Sequence, residues 1–582
     1  MCGIAGISLK KPNNRLSKDF LKISNFLSHR GPDNKGFFQN SRLSMIHTRL
    51  SIIDVSGGKQ PIRNEGLVLA ANGEIYNDLE IRKKNQDFNF KTNSDSESIL
   101  AVYRKYGLDG FKRLRGMYAF SLYDKKKDQL ILCRDEFGIK PLYFSIIPDG
   151  IIYSSEIQAL RAVLNSKQSI KKNKLSEFLQ MQFCSGNETI FKNIFRVRPG
   201  ERLIIREGQI IKSKIFSPLS SVQYSNKVID NKFISKTLLD SVKVHQRSDV
   251  PYCLFFSGGV DSMLILYFMN KLNRSKIKSF RVKFDGQNDF SSEYLKSLTN
   301  SFNTEFEDIN FTENDFWKYL PLAAKFSDDP VADYAMLPTL KLAKRVSEQN
   351  FKVVLSGEGG DEIFAGYGRY KKYFSFFKNK YFKGSFNRLI NLDKKVNNWD
   401  FDLKKLTENV NNLSLSKLQK HQWFDFNNWL PNDLLIKLDR CLMAYGLEGR
   451  TPFIDKEVFK NFFLIDDRYK IKQNTGKFYI KSFLQKEIDF YDPFLKKKGF
   501  TVPIKTWIPK KINLIQKILP KVELIREFFS KKEILELCYI SKNNKDALRP
   551  LWHLIFISCW YAIHIQKVKI EGNFFDLMEN IR

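Results

Sequence analysis

The stretch Tyr252-Cys-Leu-Phe-Phe-Ser-Gly-Gly-Val-Asp-Ser262 runs from apolar residues through two glycines into a second apolar run, Met263 to Leu272. The first run has the length of a buried strand, and the second has helical periodicity. Glycines at a strand-to-helix turn let backbone N–H groups approach an anion at the positive end of the helix. The stretch therefore predicts a phosphate-binding loop in an α/β domain, although it is not a Walker A sequence.

Further short apolar strands and helical segments alternate on both sides of this loop. Ile277-Lys-Ser-Phe-Arg-Val282 and Lys352-Val-Val-Leu355 are predicted strands, and Leu337 to Gln349 is a predicted helix. A second polar loop, Ser-Gly-Glu-Gly-Gly-Asp, follows Leu355. Because the carboxyl ends of parallel strands meet in one crevice, we expect both loops to face the same site. From about residue 425 onward the pattern predicts helices only.

The first part of the chain has a different periodicity. Leu67-Val-Leu-Ala-Ala71, the alternating Met117-Tyr-Ala-Phe-Ser-Leu-Tyr123 and Gly150-Ile-Ile-Tyr-Ser154 are short strands between turn residues. The predicted fold class is α/β: an α+β N-terminal sandwich of β-sheets flanked by helices, then a C-terminal parallel α/β domain with a helical extension. The predicted domains span residues 1–215 and 226–582.

Composition narrows the class of protein. The 582 residues, 43% hydrophobic and 14% aromatic, are enough for more than one core, and the net charge of +33 comes from scattered lysines rather than a basic stripe. We therefore expect no nucleic acid partner. The apolar stretch Leu551 to Ile565 is too short for a membrane span and predicts a buried helix. Seven unpaired cysteines and the absence of a signal peptide pattern predict a cytoplasmic protein.

Cys2 is a candidate nucleophile because of its position. Met1 is expected to be removed, because the residues that follow it, Cys2 and Gly3, are small. Cys2 then has a free α-amine with a pKa near 8, and that amine can serve as the base for its own thiol. A cysteine at position 2 alone is a weak signal. The motifs that follow in the chain decide its meaning.

Three motifs accompany Cys2: His47-Thr-Arg-Leu-Ser-Ile-Ile53, with Arg49 predicted at the start of a strand; Ala71-Asn-Gly-Glu-Ile-Tyr-Asn77, predicted after a strand; and Thr92-Asn-Ser-Asp-Ser-Glu97, before a helix. With Cys2 they resemble the class II glutaminase domain, whose nucleophile is the N-terminal residue. The resemblance implies that Arg49 clamps the glutamine α-carboxylate and Asp95 its ammonium. It also implies an oxyanion hole formed by Asn72 and Gly73. The other implied glutamine contacts are Glu74, Leu50, Ser51, Ile52 and Ile53.

The two loops of the second half resemble the pyrophosphate loop and its partner in enzymes that cleave ATP to AMP and pyrophosphate. Because these two loops follow a region that resembles a class II glutaminase, the chain is similar to the glutamine-hydrolysing asparagine synthetases over essentially its whole length. The resemblance implies glutamine, aspartate and ATP as substrates. The implied ATP-binding residues are Phe256, Ser257, Gly258, Gly259, Asp261, Ser262, Val282, Ser356 and Gly357.

The same resemblance assigns the remaining chemistry. Asp261 and Asp361 are implied ligands of Mg²⁺. Glu358 is the implied base for the incoming ammonia, and Lys497 the cation at the pyrophosphate, in amination of a β-aspartyl-AMP intermediate by ammonia that travels through an internal tunnel. The sequence leaves Lys477, Arg440 and Arg450 open between substrate contacts and helix-surface residues.

The acceptor is not decided by the sequence. Cys441 and Gly449 replace the serine and alanine common in the family, and Lys497-Lys-Gly-Phe500 and Asp329-Pro-Val-Ala-Asp333 follow a variant pattern. All four departures are expected in the helical wall around the acceptor pocket. The alternative is therefore amidation of another carboxylate, such as a sugar acid of a surface polysaccharide. A homodimer is compatible with the sequence.

Overall fold

The computed structural model describes residues 1–13, 17–164, 169–222, 229–285, 291–371, 381–495 and 501–581. Within these ranges, the first 215 residues form two antiparallel six-stranded sheets. One has the order β10-β8-β9-β1-β3-β2, and the other β12-β11-β7-β6-β5-β4. The strands are β1 (Gly3–Leu9), β2 (Asn34–Gln39), β3 (Leu43–Arg49), β4 (Ile62–Asn64), β5 (Leu67–Ile75), β6 (Gly116–Asp124), β7 (Gln129–Arg134), β8 (Tyr143–Ile147), β9 (Gly150–Ser154), β10 (Ile194–Arg196), β11 (Glu201–Arg206) and β12 (Gln209–Ile215).

The period-2 pattern of each strand divides its side chains between two cores. In β1, Ile4 packs in the core between the two sheets, whereas Ala5 and Ile7 belong to the core on the outer face of the first sheet. In β5, Val68 lies between the sheets and Leu69 points to the other face of the second sheet. Helices cover these outer faces: α1 (Ser17–Phe26), α2 (Asp78–Lys84), α3 (Glu97–Tyr106), α4 (Ile157–Arg161) and α5 (Lys172–Met181).

The second half contains, among its described residues, a parallel five-stranded sheet with the order β15-β14-β13-β16-β17. Its strands are β13 (Tyr252–Phe255), β14 (Ile277–Phe284), β15 (Thr304–Phe311), β16 (Val353–Leu355) and β17 (Glu448–Arg450), and a hairpin of β18 (Ile471–Lys472) and β19 (Thr475–Gly476) follows. The predicted sandwich and parallel sheet are confirmed.

Helices surround the parallel sheet and continue beyond it to the C-terminal end. They are α6 (Asn231–His245), α7 (Val260–Leu272), α8 (Ser292–Asn300), α9 (Glu313–Phe326), α10 (Met336–Glu348), α11 (Gly360–Phe364), α12 (Ile390–Asp393), α13 (Phe401–Asn411), α14 (Lys417–Asn427), α15 (Leu435–Met443), α16 (Lys456–Phe462), α17 (Asp467–Lys470), α18 (Phe478–Glu487), α19 (Ile504–Lys510), α20 (Ile512–Ile518), α21 (Glu523–Arg526), α22 (Lys531–Ile540), α23 (Lys545–His564) and α24 (Phe574–Glu579). The predicted buried helix at Leu551 to Ile565 is confirmed within α23, since Trp552 and Trp560 are buried. Among the described helices, none combines the length and the apolarity needed to cross a bilayer.

Three local predictions are wrong. Arg49 ends β3 instead of starting a strand, and the apolar residues after it form no strand because they pack into the core shared with the second half. Asn72 lies inside β5, which continues to Ile75. The helices-only prediction after residue 425 missed the β18–β19 hairpin and β17. In β17, Glu448-Gly-Arg450 has no apolar pattern, and its two charged side chains are buried as an ion pair.

A group of buried charges joins the two halves. Arg30 forms a two-pronged contact with Asp439, with N–O distances of 2.8 and 3.1 Å, and its Nη1 also lies 3.0 Å from Glu156. Arg440 lies 2.7 Å from the same Glu156 oxygen and 2.9 Å from Asp328. These five side chains, called the interface charge cluster below, are each at most 3% exposed. The cluster therefore fixes one half against the other.

Replacing Arg30 with leucine should strongly destabilise the protein. The change leaves the buried Asp439 carboxylate without its arginine, and removing one partner of a buried pair costs about 3–5 kcal/mol of unfolding free energy. Urea denaturation followed by intrinsic fluorescence measures the effect. Arg42→Leu is the control, because Arg42 pairs with Glu207 at the surface and its loss should cost at most about 1 kcal/mol. Equal losses in the two variants would contradict the structural role of the cluster.

Candidate active sites

Cys2 lies directly before β1, where residues of three other segments hold its backbone and thiol. Its backbone N–H donates to Asn72 Oδ1 at 3.0 Å, and Arg30 Nε donates to its carbonyl at 3.2 Å. The thiol lies 3.9 Å from the carbonyl oxygen of Leu50. Burial raises the pKa of this thiol above its ordinary value, so attack by the sulfur requires a base nearby.

Met1 fills the space next to the nucleophile. Its α-ammonium lies 3.2 Å from Glu448 Oε2, and both groups are buried. Burial lowers the pKa of this amine. While Met1 is present, the terminal amine belongs to Met1, so the predicted self-activation of Cys2 requires that Met1 be removed.

Asn72 and Gly73 of β5 lie beside Cys2. Within the described residues, Asn72 Nδ2 is buried and has no hydrogen-bond partner, which leaves a donor for a ligand. Gly73 has a φ of +154°, and a Cβ there would lie 2.0 Å from the Met117 carbonyl oxygen. Only glycine therefore fits this close approach of two backbones.

Arg49 is engaged by the turn that follows it. Its guanidinium donates to the carbonyl oxygens of Ile53, Asp54 and Val55 at 3.1, 2.6 and 3.1 Å. These bonds hold the side chain in one position. A two-pronged contact with a carboxylate would have to use its remaining donor capacity or displace part of this turn.

The four residues predicted to line the glutamine site after Arg49 do not act alike. Leu50 contacts the thiol through its carbonyl, whereas Ser51 N–H donates to Asp33 Oδ2 at 2.7 Å. The carbonyl of Ile52 accepts from Asp249 N–H at 3.1 Å, which ties this segment to the second half. The structure thus brings Leu50 to the nucleophile and uses the other three mainly to shape the turn.

Asp95 and Glu74 carry two neighbouring buried carboxylates. Asp95 Oδ2 accepts from Ile75 N–H at 2.7 Å, and burial raises the pKa of Asp95 to about 6. Burial and the neighbouring Asp95 raise the pKa of Glu74 well above its ordinary value. Glu74 Oε1 has no partner among the described residues. The pair suits a ligand that carries an ammonium group.

Arg450 of β17 connects this region with the second half. Its guanidinium lies 3.3 Å from Glu74 and 2.6 Å from Glu448, and its carbonyl oxygen accepts from Ser356 N–H at 2.9 Å. The side chain is fully buried, so Arg450 is not a helix-surface residue. The bridging position of Arg450 does not follow from the sequence, because it depends on the pairing of β17 with β16.

The two predicted loops lie side by side because β13 and β16 are neighbouring parallel strands. Ser257 N–H donates to Ser262 Oγ at 3.2 Å, which closes the first loop ahead of α7. A Cβ on Gly360 of the second loop would lie 2.4 Å from Asp261 Oδ1, so the close packing of the loops requires glycine there. The expectation that both loops face one crevice is met by this geometry.

One cavity of about 1310 Å³ lies over both loops. Every residue that sequence analysis assigned to ATP or to the metal lines it, as does Glu358. These are Phe256, Ser257, Gly258, Gly259, Asp261, Ser262, Val282, Ser356, Gly357, Glu358 and Asp361. Lys497 lies outside the described residues.

Lys477 joins the two predicted metal ligands. Its ammonium lies 2.6 Å from Asp261 Oδ2 and 2.7 Å from Asp361 Oδ1. Among the described residues there is no group of three or more His, Cys, Asp or Glu side chains suited to a metal. Mg²⁺ nevertheless often takes one or two carboxylates together with substrate phosphates. The two carboxylates fit that arrangement, and Lys477 is a functional candidate, not a helix-surface residue.

Glu358 is paired with a lysine that sequence analysis missed. Lys437 Nζ lies 3.4 Å from Glu358 Oε1 and 3.0 Å from Asp333 Oδ2. Lys437 lies on α15, whose sequence carries no loop motif. Only the packing of this helix beside the second loop gives the lysine its position.

Two of the unusual residues that left the acceptor open, Cys441 and Gly449, do not line the cavity, whereas Asp333 of the variant segment does. Cys441 is fully buried and its thiol lies 3.5 Å from the carbonyl oxygen of Met336. A Cβ on Gly449 would lie 2.7 Å from Leu442. Neither residue is among the described residues that line the cavity, although Cys441 lies on α15, the helix that contributes Lys437 to it.

Comparison with known proteins agrees with this division. Residues 1–216 match the glutamine amidotransferase domain family, and residues 234–562 match the asparagine synthase family. Asparagine synthetase [glutamine-hydrolyzing] 1 of Bacillus subtilis is 30% identical over 97% of this chain and 97% of that protein. Asparagine synthetase B of Escherichia coli is 29% identical over 78% and 74% of the two chains. Amidase chyE of Penicillium rubens is 30% identical over 59% and 54%.

A class II glutaminase fold with a cysteine after Met1, followed by a parallel α/β domain, defines a glutamine-dependent amidotransferase of the ligase class. The chain belongs to the asparagine synthase family.

Replacing Lys477 with methionine should make the protein more sensitive to Mg²⁺. Without the ammonium, Asp261 and Asp361 repel each other, and a divalent cation no longer competes with Lys477 for the same oxygens. We expect Mg²⁺ alone to raise the melting temperature of the variant more than that of the unchanged protein, as measured by scanning fluorimetry.

The matched control is Lys271→Met, because Lys271 forms a surface pair with Glu487. Its response to Mg²⁺ should equal that of the unchanged protein. A Lys477→Met response no larger than this control would argue against a cation site between the two aspartates.

Proposed function

We propose that this enzyme is a glutamine-dependent asparagine synthetase that converts aspartate, glutamine and ATP to asparagine, glutamate, AMP and pyrophosphate. Residues 1–215 would carry the glutaminase and residues 226–582 the synthetase. The observation that carries the proposal is Arg450, which contacts Glu74 beside the nucleophile and Ser356 beside the ATP loop. The names of the full-length relatives support it. A reducing cytoplasm is the proposed location, because all seven cysteines are free.

In the glutaminase half, the freed Cys2 amine takes the thiol proton and the thiolate attacks the glutamine amide. Asn72 Nδ2 and Gly73 N–H would stabilise the resulting oxyanion, a contribution worth about 100-fold or more in rate per donor. The C–N bond then breaks and releases ammonia, and water hydrolyses the thioester to glutamate. Arg49 would hold the substrate carboxylate, and Asp95 with Glu74 its ammonium.

In the synthetase half, the acceptor carboxylate attacks the α-phosphorus of ATP and displaces pyrophosphate. Ser257, Gly258, Gly259 and Ser262 would hold the phosphates by N–H and hydroxyl donors at the start of α7, assisted by Lys477 and by Lys497. Mg²⁺, held by Asp261 and Asp361, would neutralise phosphate charge. Ammonia from the first site, arriving through an internal path, then attacks the β-aspartyl-AMP carbonyl and AMP leaves. Glu358 would take the proton that the nitrogen loses.

A same-family enzyme that amidates a different acid is the second candidate. The relative named amidase chyE shows that chains related to this one carry other names. Cys441 and Gly449 do not line the cavity, whereas Asp333 of the variant segment does, so the acceptor assay decides between the two candidates.

The test measures pyrophosphate release with ATP, Mg²⁺ and aspartate, using glutamine or ammonia as nitrogen source. We expect aspartate-dependent release with both sources. Cys2→Ala should abolish the glutamine-driven reaction and retain the ammonia-driven one, whereas Asp261→Ala should abolish both. Absence of aspartate-dependent pyrophosphate in the unchanged enzyme would refute asparagine synthesis, and unchanged glutaminase activity in Cys2→Ala would refute the assigned nucleophile.

Glutamine use should also depend on the protonation of Asp95. Its pKa of about 6 means that the carboxylate becomes neutral in mild acid and no longer attracts the substrate ammonium. We expect kcat/KM for glutamine to fall more steeply below pH 6, where loss of the Asp95 charge adds up to about tenfold per pH unit to the decline caused by protonation of the Cys2 amine. The pH profile of glutamate release measures this effect.

Protonation of Asp95 does not unfold the protein, so unfolding caused by this group does not account for the decline in kcat/KM. Because burial raises its pKa in the folded state, the folded protein holds this proton more tightly, so protonation of Asp95 favours the fold. Far-UV circular dichroism at the same pH values is the control for the integrity of the protein. A glutamine profile that is flat through this region would argue against Asp95 as the ammonium site.

A further inference from the structure

Glu74 lies on the same face of β5 as Asn72, because alternate residues of a strand point to one side. Asn72 Oδ1 accepts from Cys2 N–H at 3.0 Å, so this face of β5 is the one that meets the nucleophile. Glu74 is 2% exposed, and its Oε1 has no hydrogen-bond partner among the described residues. A buried oxygen of this kind is left for a ligand.

The other oxygen of Glu74 faces a cation from the second half. Arg450 Nη2 lies 3.3 Å from Glu74 Oε2, and in the described part of the chain this is the only ion pair that Glu74 makes. Arg247 also lies near Glu74, but its guanidinium is paired with Asp78, with 3.1 Å between Nη2 and Oδ2. Glu74 therefore depends on the second half for its counter-charge.

The second half holds Arg450 in place from the opposite side. Its Nε donates to Glu448 Oε1 at 2.6 Å, and its Nη1 donates to the carbonyl oxygens of His245 and Arg247 at 2.9 and 2.5 Å. These carbonyls lie at and just after the C-terminal end of α6, where the helix dipole favours a cation. Nη2 has no aligned hydrogen bond within the described ranges, so it is the part of the guanidinium that remains to face Glu74.

Two aromatic rings close the space beside Arg450. The rings of Tyr76, in the first half, and His245, in the second, have centroids 4.0 Å apart. Arg450 Cζ lies 6.0 Å from the centroid of the Tyr76 ring, and all three side chains are buried. A guanidinium confined in this way can hold a neighbouring carboxylate in one position.

Resting on the proposed function, we infer that Arg450 is a positioning residue of the glutaminase: it holds Glu74 so that Oε1 of that carboxylate binds the α-ammonium of glutamine. The second half then contributes to substrate selection at the first site without touching the substrate. Glu74 and Asp95 are neighbouring carboxylates that repel each other, and the cation offsets that repulsion. Recognition of the glutamine ammonium should therefore weaken when the guanidinium is removed.

Arg115 is an arginine that connects the two halves without contacting this site. It belongs to the first half, and its guanidinium pairs with Asp455 of the second half at 2.8 and 3.0 Å. It also lies 2.7 Å from Asp240. Among the described residues, none of these side-chain partners is assigned to glutamine binding. Arg115→Met is therefore the matched control for an effect of docking alone.

The experiment measures ammonia release from two amides: glutamine, and glutaramate, which has the same amide and carboxylate but lacks the α-ammonium. In the unchanged enzyme, we expect kcat/KM for glutamine to exceed the value for glutaramate by about 10- to 100-fold. Arg450→Met should lower kcat/KM for glutamine by about tenfold or more, chiefly through KM, and change the glutaramate value by less than about twofold. Glu74→Gln should have the same effect, and the double variant should be no worse than either single variant.

Arg450→Lys keeps a cation beside Glu74 and tests the inference if the methionine variant does not fold. Because an ammonium cannot reproduce the fork of the guanidinium, we expect a smaller loss for glutamine, about threefold, and none for glutaramate. Far-UV circular dichroism reports the folding of each variant, and Arg115→Met should leave the ratio of the two kcat/KM values unchanged.

Two results would overturn the inference. Equal losses with glutamine and glutaramate in the Arg450 variants would mean that Arg450 acts only in docking, and a changed ratio in Arg115→Met would mean that any loss of docking alters the selection. If the unchanged enzyme releases no ammonia from glutamine, the proposed function itself fails.

Discussion

The interface charge cluster is the constraint on which the two-site arrangement depends. Arg30, Asp439, Glu156, Arg440 and Asp328 are all removed from water, so each charge requires its partner. Buried ion pairs contribute little net stability compared with apolar contacts, but they penalise every other docking of the two halves. Arg30 also donates to the carbonyl of Cys2. The residue that orients the second half therefore also positions the nucleophile.

Arg450 is another buried charged residue that connects the two halves. Its guanidinium is committed to two carboxylates of the first-site region and its carbonyl to the second ATP loop. β17 is paired with β16, the strand that Ser356 directly follows. Arg450, one residue of the three-residue strand β17, thus contacts Glu74 on one side and Ser356 on the other.

Much of the fold follows from local patterns, because apolar alternation and glycine-bounded runs determine strands directly. Gly150 to Ser154 was predicted to the residue, and the loops after β13 and β16 were recognised from glycines. The apolar run Leu50 to Ile53 was wrongly predicted to be a strand, because its apolar side chains pack against the second half. Cations were the harder class: Lys437 and Arg549 look like ordinary helix residues until tertiary packing brings them to the cavity. Local sequence thus identified the loops that line the cavity, and not the charged side chains that tertiary packing adds to it.

The burial of Met1 sets an order of events during biosynthesis. The residue that covers its amine, Glu448, is synthesised more than 400 positions later, and in the folded protein Met1 is 1% exposed. An aminopeptidase cannot reach a side chain and amine enclosed in this way. The proposed excision of Met1 would therefore precede its enclosure by the second half, and a chain that keeps Met1 would fold into a form in which Cys2 has no amine of its own.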